Sequence, residues 1–318
     1  MTLSNPIRIG ISACLLGQRV RYDGGHKLSS LCIDILGPYC QFVPLCPETA
    51  IGLGTPRPPI QLRGEPAAPR VVGVDDPDRD VTAALQNFGH HTGAALQDIS
   101  GYILMQKSPS CGMQGVKIMD DEGNLTDSTG TGAFAAALMQ ARPELPVEEE
   151  GRLADPVLLE NFISRVYALA HWQHMQRQGL TPKTLIAFLQ RYKYQLMATQ
   201  REQYQQLGRA VAQSSSIPLH EFATPYITQL MQALRQPATR GTHTNVLQHL
   251  AGYLKRDLDE PQKQALQHLI SQYRTGTVPL STPVNLLNQY FRQYPNEYIA
   301  GQAYLQPHPP KLGLYDAI

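Results

Sequence analysis

The 318-residue sequence contains few cysteines and no apolar run long enough to cross a membrane. Its longest uninterrupted apolar stretch, Gly132–Met139, is far shorter than the ~20 residues that a transmembrane helix needs. The segment Met1–Arg8 lacks the basic start and apolar core of a secretory signal. Five cysteines, an odd number in a long chain, do not resemble a disulfide framework. We therefore expect a soluble, cytoplasmic protein with no membrane partner.

Charged residues are also scarce, at 17%, while 42% of the residues are hydrophobic. This balance provides enough apolar side chains for folded cores, and it excludes a disordered chain and a coiled coil. Neither Gly-x-x-x-x-Gly-Lys nor Gly-x-Gly-x-x-Gly occurs, so the sequence shows no phosphate-binding loop of these two kinds.

The charges and several residue types are divided unevenly along the chain. Residues 1–150 carry 11 Lys/Arg and 17 Asp/Glu, a net charge of −6, and they contain all five cysteines. Residues 151–318 carry 16 Lys/Arg and 9 Asp/Glu, a net charge of +7, and they contain twelve of the fifteen tyrosines. The stretch Arg142–Pro156, with prolines, a glycine and a glutamate run, is typical of a boundary. We predict two domains, 1–150 and 151–318.

The two parts also differ in hydrophobic periodicity. In the first, strand-like segments at Ile7–Ala13, Gln41–Leu45 and Gly101–Met105 alternate with amphipathic helical patterns, which predicts an α/β domain with a parallel sheet. In the second, Asp155-Pro156 and Thr181-Pro182 are typical helix starts, and helical periods continue to about Tyr298. The sequence therefore predicts an N-terminal parallel-sheet α/β domain and an all-helical second domain.

Three of the cysteines share a position at or just beyond the ends of predicted strands. Cys14, Cys46 and Cys111 each lie among small, polar or turn-forming residues. The carboxyl ends of parallel strands border a common crevice, so these residues can converge in space. Three converging thiolates require a cation, because their mutual repulsion would otherwise keep them protonated. Cys32, on an apolar helical face, and Cys40, beside a strand start, are interpreted as ordinary buried thiols.

The donor set leaves the identity of the cation open. Zinc accepts three thiolates and a fourth ligand, although the paired Cys-x-x-Cys of many zinc sites is absent. A cubane iron–sulfur cluster normally takes four cysteines. With three, one iron would keep an open position, and soft iron suits a sulfur-containing substrate.

Polar residues beside these cysteines are candidates for proton transfer. Glu48, two residues after Cys46, could act as an acid or base, although a solvated glutamate is an equally good interpretation. Ser108 and Ser110 flank Pro109 just before Cys111. Their hydroxyl groups could hold an anion or a carbonyl, and turn capping is the alternative.

The motifs Ser-Ala-Cys-Leu-Leu-Gly, Cys-Pro-Glu and Ser-Pro-Ser-Cys-Gly, in this order and spacing, resemble those of the thiouracil desulfidase family. The resemblance covers roughly Ile7–Arg142. The second part resembles an all-helical domain found fused to that family, so the whole chain is similar to fused tRNA 4-thiouridine desulfidases.

The resemblance implies a [4Fe-4S] cluster bound by Cys14, Cys46 and Cys111, with the fourth iron free of protein ligands. The thiocarbonyl sulfur of the substrate would bind this iron, and water would supply the new oxygen. Glu48 and Ser108 or Ser110 would be the acid/base and positioning groups, with a slight preference for Ser108. The expected products are uridine and sulfide, whose acceptor the sequence does not identify.

The basic second part favours RNA, rather than DNA, as a partner. Its surplus positive charge suits phosphates, and its tyrosines suit stacking on bases. Candidate clusters are Arg191–Tyr194, Lys255-Arg256 and Arg235–Arg240. Taken one at a time, these residues are better explained by a helical bundle with a solvated basic surface and a tyrosine-filled core, and the charge division of the whole domain is what favours RNA. Two alternatives to a tRNA desulfidase stay open: a desulfidase of free thiolated bases such as thiouracil, and an RNA-binding sensor with a regulatory cluster.

Overall fold

The computed structural model describes residues 6–213 and 218–318. Most of the segment Met1–Arg8, which lacks the features of a secretory signal, therefore lies outside the described residues. The chain forms two compact units, Met1–Ala154 and Asp155–Ile318. Within the described residues, no helix combines the length and apolar character needed to cross a bilayer.

The first unit contains two four-stranded sheets. Its strands, in chain order, are β1 (Ile7–Ser12), β2 (Cys40–Leu45), β3 (Ile60–Arg63), β4 (Arg70–Gly73), β5 (Ile99–Leu104), β6 (Val116–Met119), β7 (Leu125–Gly130) and β8 (Val147–Glu149). The first sheet has the order β2-β1-β5-β8, and all its neighbouring strands are parallel. Every residue of β5 is buried, as expected for a central parallel strand. The predicted parallel-sheet α/β fold is confirmed.

In the described residues, three α-helices and a π-helix (Leu31–Leu36) accompany these sheets; the α-helices are α1 (Pro47–Ala50), α2 (Thr82–Ala95) and α3 (Ala133–Ala141). The longer two pack closely because glycines of α2 face α3. A Cβ atom on Gly89 or Gly93 would lie 2.7 Å from the Cβ atoms of Ala137 and Ala141, respectively. Only glycine allows the two backbones to approach this far. The contact fixes α3, whose start adjoins the loop that carries Cys111.

The second sheet was not predicted from the sequence. Its order is β4-β3-β6-β7, with two antiparallel pairs joined by a parallel pair. Its strands are short, and β7 (Leu-Thr-Asp-Ser-Thr-Gly) is polar and largely exposed. β7 lacks the apolar alternation that marks a strand in the sequence, and the other three strands, of four residues each, are too short for such a pattern to stand out.

The second unit is helical throughout its regular structure in the described residues. Its helices are α4 (Pro156–Gln178), α5 (Pro182–Arg191), α6 (Lys193–Thr199), α7 (Arg201–Gln213), α8 (Leu219–Arg235), α9 (Arg240–Ala251), α10 (Glu260–Thr275), α11 (Ser281–Gln293) and α12 (Glu297–Ala300). The two predicted helix starts are confirmed. Asp155 accepts hydrogen bonds from the backbone N–H groups of residues 157 and 158, and Thr181 forms a capping box with Thr184.

Candidate active site and metal centre

The three predicted ligand cysteines lie at one edge of the parallel sheet. Cys14 is in the 3₁₀ turn that follows β1, and Cys46 is the N-cap residue of α1, directly after β2. Cys111 lies in the loop after β5, the other neighbour of β1. All three line a single cavity of about 490 Å³, here called the cysteine cavity. The convergence follows from parallel pairing, which brings the carboxyl ends of these strands to the same edge.

The other two cysteines are not part of this lining. Cys32 is fully buried, and Cys40 begins β2, where its thiol donates to the carbonyl oxygen of Leu36 over 3.3 Å. Cys32 therefore fills a buried structural position, as its interpretation as a buried thiol required. Cys40 is half-buried rather than buried, because it begins a strand at the edge of the sheet.

Burial favours the protonated thiols of Cys14 and Cys111 in the absence of a cation. It is the largest influence on Cys14, and with the nearby charge of Cys46 it raises the pKa of Cys14 to about 11. Burial, followed by the charge of Glu48, raises the pKa of Cys111 well above its ordinary value. A bound cation would reverse this preference by stabilising the thiolates.

The thiols border the cavity rather than meeting at one point. Among the described residues, no group of three His, Cys, Asp or Glu side chains has the spacing of ligands to a single metal ion. A cluster makes a different demand on its ligands, because each thiolate binds a different iron. Three thiols around a cavity suit such a polynuclear group, and thiolate is its usual ligand.

A buried hydroxyl group provides an independent test of whether such a group fits. The side chain of Tyr102 is fully buried, and its hydroxyl has no hydrogen-bond partner in the described part of the chain. Burial raises the pKa of Tyr102, and the nearby charges of Cys111, Cys46 and Cys14 add to this effect. An unpaired buried donor is costly, and sulfur atoms of a cluster are acceptors of the kind it lacks. Gly10 makes the position possible, because a Cβ atom there would lie 2.3 Å from the Tyr102 ring.

The loop that carries Cys111 is held from two sides. On one side, Ala133 and Ala135, at the start of α3, donate backbone hydrogen bonds to the carbonyl oxygens of Pro109 and Ser110. On the other side, the buried carboxylate of Glu149 on β8 accepts from the backbone N–H of Met113 over 2.8 Å. These contacts hold the loop in place before any ligand binds.

Glu48 and the two serines form a short hydrogen-bonded chain. The Ser110 hydroxyl donates to Glu48 Oε1 over 2.5 Å, and the Ser108 and Ser110 hydroxyl oxygens are 2.9 Å apart. Ser108 and Glu48 line the cavity, whereas Ser110 is fully buried and lies between them. These hydrogen bonds connect Ser108 and Glu48, at the cavity surface, through Ser110, which solvent does not reach.

Arg57 completes this arrangement, and the sequence analysis did not identify it. Its Nε and Nη2 atoms lie 2.8 and 2.7 Å from Glu48 Oε2, and Nη1 donates to the Gly54 carbonyl oxygen over 2.8 Å. The Arg57 side chain is only 3% exposed and that of Glu48 13%. A two-point contact of this kind orients the carboxylate and leaves Oε1 to Ser110. Nothing in the spacing of the two residues indicates their pairing.

Replacing Arg57 with methionine is expected to lower the free energy of unfolding by about 1–3 kcal/mol, because it leaves a largely buried carboxylate without its partner. Adding Glu48→Gln removes that charge, so the double variant should recover part of the loss. Urea-induced unfolding of the full chain, with the transitions of the two units fitted separately, measures both effects. A single variant as stable as the wild type would contradict this account of the pair.

Basic residues surround the rest of the cavity. Arg21, Lys27 and Lys107 line it together with Tyr22, whose side chain is 45% exposed. The guanidinium group of Arg21 lies 5.6 Å from the centre of the Tyr22 ring. Glu48, the carboxylate in the lining, is already paired with Arg57. Arg21 is paired with Asp23 over 3.6 Å, whereas Lys27 and Lys107 form no salt bridge within the described residues. These two lysines give the cavity surplus positive charge, although residues 1–150 carry a net charge of −6.

Comparison of the sequence with known proteins identifies the family to which the chain belongs. A sequence model of the family described as 2-thiouracil desulfurase matches residues 9–150, and one described as a protein of unknown function (DUF1722) matches residues 193–309. An uncharacterized protein of Escherichia coli (strain K12), YbgA, is 31% identical over 156 residues, which is 49% of this chain and 92% of the relative. An uncharacterized protein of Bacillus subtilis (strain 168), YbbK, is 33% identical over 146 residues, 44% of this chain and 95% of the relative.

A solved structure titled as the [4Fe-4S]-dependent thiouracil desulfidase TudS is 38% identical, with a TM-score of 0.38. The matched region makes up 46% of this chain and 93% of the TudS chain. The family suspected from the sequence motifs is confirmed. Residues 9–150, which include Cys14, Glu48 and Cys111, match the family model. The chain therefore belongs to the 2-thiouracil desulfurase family, an enzyme family of desulfidases, with a DUF1722 region following its desulfurase region.

Proposed function

We propose that the protein is a [4Fe-4S]-dependent desulfidase that converts 4-thiouridine in tRNA to uridine and releases sulfide. The observation that carries this proposal is the meeting of three strand-end cysteines with the Glu48 chain in one cavity lined by basic residues. Desulfidase activity is the property of the family, while the tRNA substrate and the cofactor are parts of the proposal.

Cys14, Cys46 and Cys111 would hold the cluster, and the Tyr102 hydroxyl would donate a hydrogen bond to one of its sulfur atoms or to a ligating thiolate. When bound, a cluster with three protein ligands offers one open iron to the sulfur of the substrate. Proton transfer and substrate positioning would be carried out by side chains of the first unit.

The role of Glu48 follows from its two partners. Arg57 occupies Oε2, so Oε1 is the atom that exchanges protons. Replacement of the thiocarbonyl sulfur by oxygen is a hydrolysis: water forms a C–O bond, the C–S bond breaks, and the two water protons are redistributed without net oxidation. Glu48 would take a proton from the attacking water and return it to the leaving sulfur or the ring.

The serines would extend this proton path to the cavity surface. Ser110 gives its only proton to Glu48, so the Ser108 hydroxyl donates to Ser110. Ser108 also faces the cavity, so it would contact a bound base as the outer end of this proton path. Ser110 would position Glu48 and connect it to Ser108. The proposal thus assigns the substrate contact to Ser108 and a positioning role to Ser110.

Two charge distributions favour a polynucleotide over a free base. Lys27 and Lys107 would suit the phosphates that flank a thiouridine, whereas free thiouracil has no phosphate to bind them. Residues 151–318 add a net charge of +7 that would recruit the same polyanion.

The test compares substrates on the reconstituted full-length protein under anaerobic conditions. We expect kcat/KM for tRNA carrying 4-thiouridine to exceed that for free 4-thiouracil at least about tenfold at low salt and to fall steeply as salt rises, because phosphate contacts release counterions. Lys27→Gln and Lys107→Gln should lower the tRNA value by a larger factor than the free-base value. Lys117→Gln, which alters an exposed lysine of β6 outside the cavity lining, is the matched control.

A free base that reacts as well as tRNA, with no effect of salt, would favour the alternative of a free-base desulfidase. A protein that binds tRNA and a cluster but turns over neither substrate would favour the sensor. The Glu48 chain argues against a pure sensor, which has no use for a carboxylate held beside its cluster.

A further inference from the structure

The second unit carries a surface patch of aromatic and basic side chains contributed by several elements. We call it the tyrosine patch and define it by Lys193, Tyr204, Tyr253, Lys255, Arg256 and Tyr298. The Lys193 ammonium lies 5.5 Å from the centre of the Tyr298 ring and 5.1 Å from that of the underlying Tyr194. The Tyr253 and Tyr298 rings are stacked, with centroids 6.1 Å apart and planes inclined by 28°.

Tyr194 anchors the patch from below. It is 1% exposed, and burial, followed by a hydrogen bond with the Tyr253 side chain and the nearby charges of Tyr253, Tyr298 and Tyr204, raises its pKa. The same tyrosines influence Tyr204, whose pKa is raised chiefly by burial. The four rings therefore form one group, although α6, α7, α12 and the 3₁₀ turn Gly252–Leu254 contribute them.

Exposure distinguishes the outer part of this group from a core cluster. Tyr253 is 41% exposed and belongs to the few large hydrophobic side chains of the described residues that are this open. Packing alone does not explain a stacked, partly exposed pair of rings beside an ammonium group, because a buried leucine would serve packing equally well. It does present an aromatic face to a ligand.

The basic residues of the patch are available to a partner. Lys255 and Arg256 lie two and three residues after Tyr253 in the chain, separated from it by the buried Leu254, and both are exposed. Neither forms a salt bridge within the described residues, and the same is true of Lys193. Asp257 and Glu297 are neighbours in the sequence, but neither is paired with these cations in the part of the chain that the structure describes.

We propose that the tyrosine patch is an RNA-docking site at which an unpaired base stacks on Tyr253 and Tyr298 while Lys255 and Arg256 hold adjacent phosphates. Base stacking on aromatic rings and phosphate binding by lysine and arginine are the two contacts by which proteins hold single-stranded nucleic acid segments. A protein partner would leave the charge surplus of this unit unused, so the patch favours RNA. The identification of that RNA as tRNA rests on the proposed function.

Binding of unmodified tRNA to the full-length protein tests this inference without depending on turnover. Dissociation constants are measured by fluorescence anisotropy at several salt concentrations. Tyr253→Ala should weaken binding about 5–150-fold, the equivalent of one stacked base, and leave the salt slope unchanged. Tyr253→Phe keeps the ring, and it should bind within about twofold of the wild type.

Replacement of the basic residues should instead change the salt dependence of tRNA binding. Lys255→Gln and Arg256→Gln should each lower the slope of log K against log salt by about 0.7–0.9, the contribution of one phosphate contact. Lys311→Gln, which changes an exposed lysine outside the patch, is the control and should leave the slope as it is.

The outcomes separate this inference from the proposed function. Wild-type affinity in Tyr253→Ala, or equal losses in the alanine and phenylalanine variants, would overturn the stacking site. Absence of tRNA binding by the wild-type protein would overturn both proposals. Patch-dependent binding of tRNA without desulfidation of 4-thiouridine would support the docking site and contradict the proposed reaction.

Discussion

Replacement of Glu48 by glutamine is expected to lower the desulfidation rate about 10²–10⁴-fold while leaving the iron content unchanged. Glutamine has nearly the same shape, but it carries no charge and cannot take up a proton at neutral pH. Because Glu48 lines the cavity beside Cys46 without being a thiol ligand, the loss should fall on turnover. Single-turnover rates and iron analysis on the same anaerobic preparation measure the two quantities.

The chain offers a matched control for this substitution. Glu144 is a carboxylate of the same unit, 16% exposed, and it is paired with the buried Arg142 in an arrangement like that of Glu48 with Arg57. It does not line the cysteine cavity, so Glu144→Gln should retain the wild-type rate. If Glu48→Gln turned over as fast as Glu144→Gln, the proton-transfer role would be wrong and the sensor alternative would gain support.

Replacement of Cys14, Cys46 or Cys111 by alanine is expected to remove most of the iron that the wild-type protein holds, about four atoms per chain for a cubane cluster. Two thiolates at most remain in each variant, and the cavity offers no other thiol to replace the lost ligand. The broad visible absorbance, the iron content and the acid-labile sulfide should fall together.

Cys32→Ala and Cys40→Ala are the controls, because both residues are cysteines of the same unit outside the cavity. Both variants should keep the iron and the visible spectrum. Burial raises the pKa of Cys14 to about 11, so this thiol is protonated in cluster-free protein and cluster insertion should release protons. A wild-type protein that binds zinc and no iron after anaerobic reconstitution would contradict the cluster and the mechanism built on it.

The sequence and the structure agree most closely where the signal is local. The capping residues Asp155 and Thr181 act through neighbours two or three positions away, so their helix starts were predictable. The apolar segments around Ile9 and Ile103 form buried parallel strands, because burial on both faces demands continuous apolar residues. The polar strand β7 carries no such pattern, and its backbone groups pair with those of β6 in the second sheet.

By itself, the sequence determined the α/β and helical classes of the two parts, the strand-end placement of three cysteines and the family, because each depends on short motifs or on hydrophobic period. Tertiary structure alone decided that Arg57 holds Glu48, that Ser110 rather than Ser108 touches its carboxylate, and that Tyr253 stacks on Tyr298. These partners lie 9 to 62 positions apart. Contacts at such separations leave no periodic trace in a single sequence, because they arise from the packing of whole elements rather than from local backbone preference.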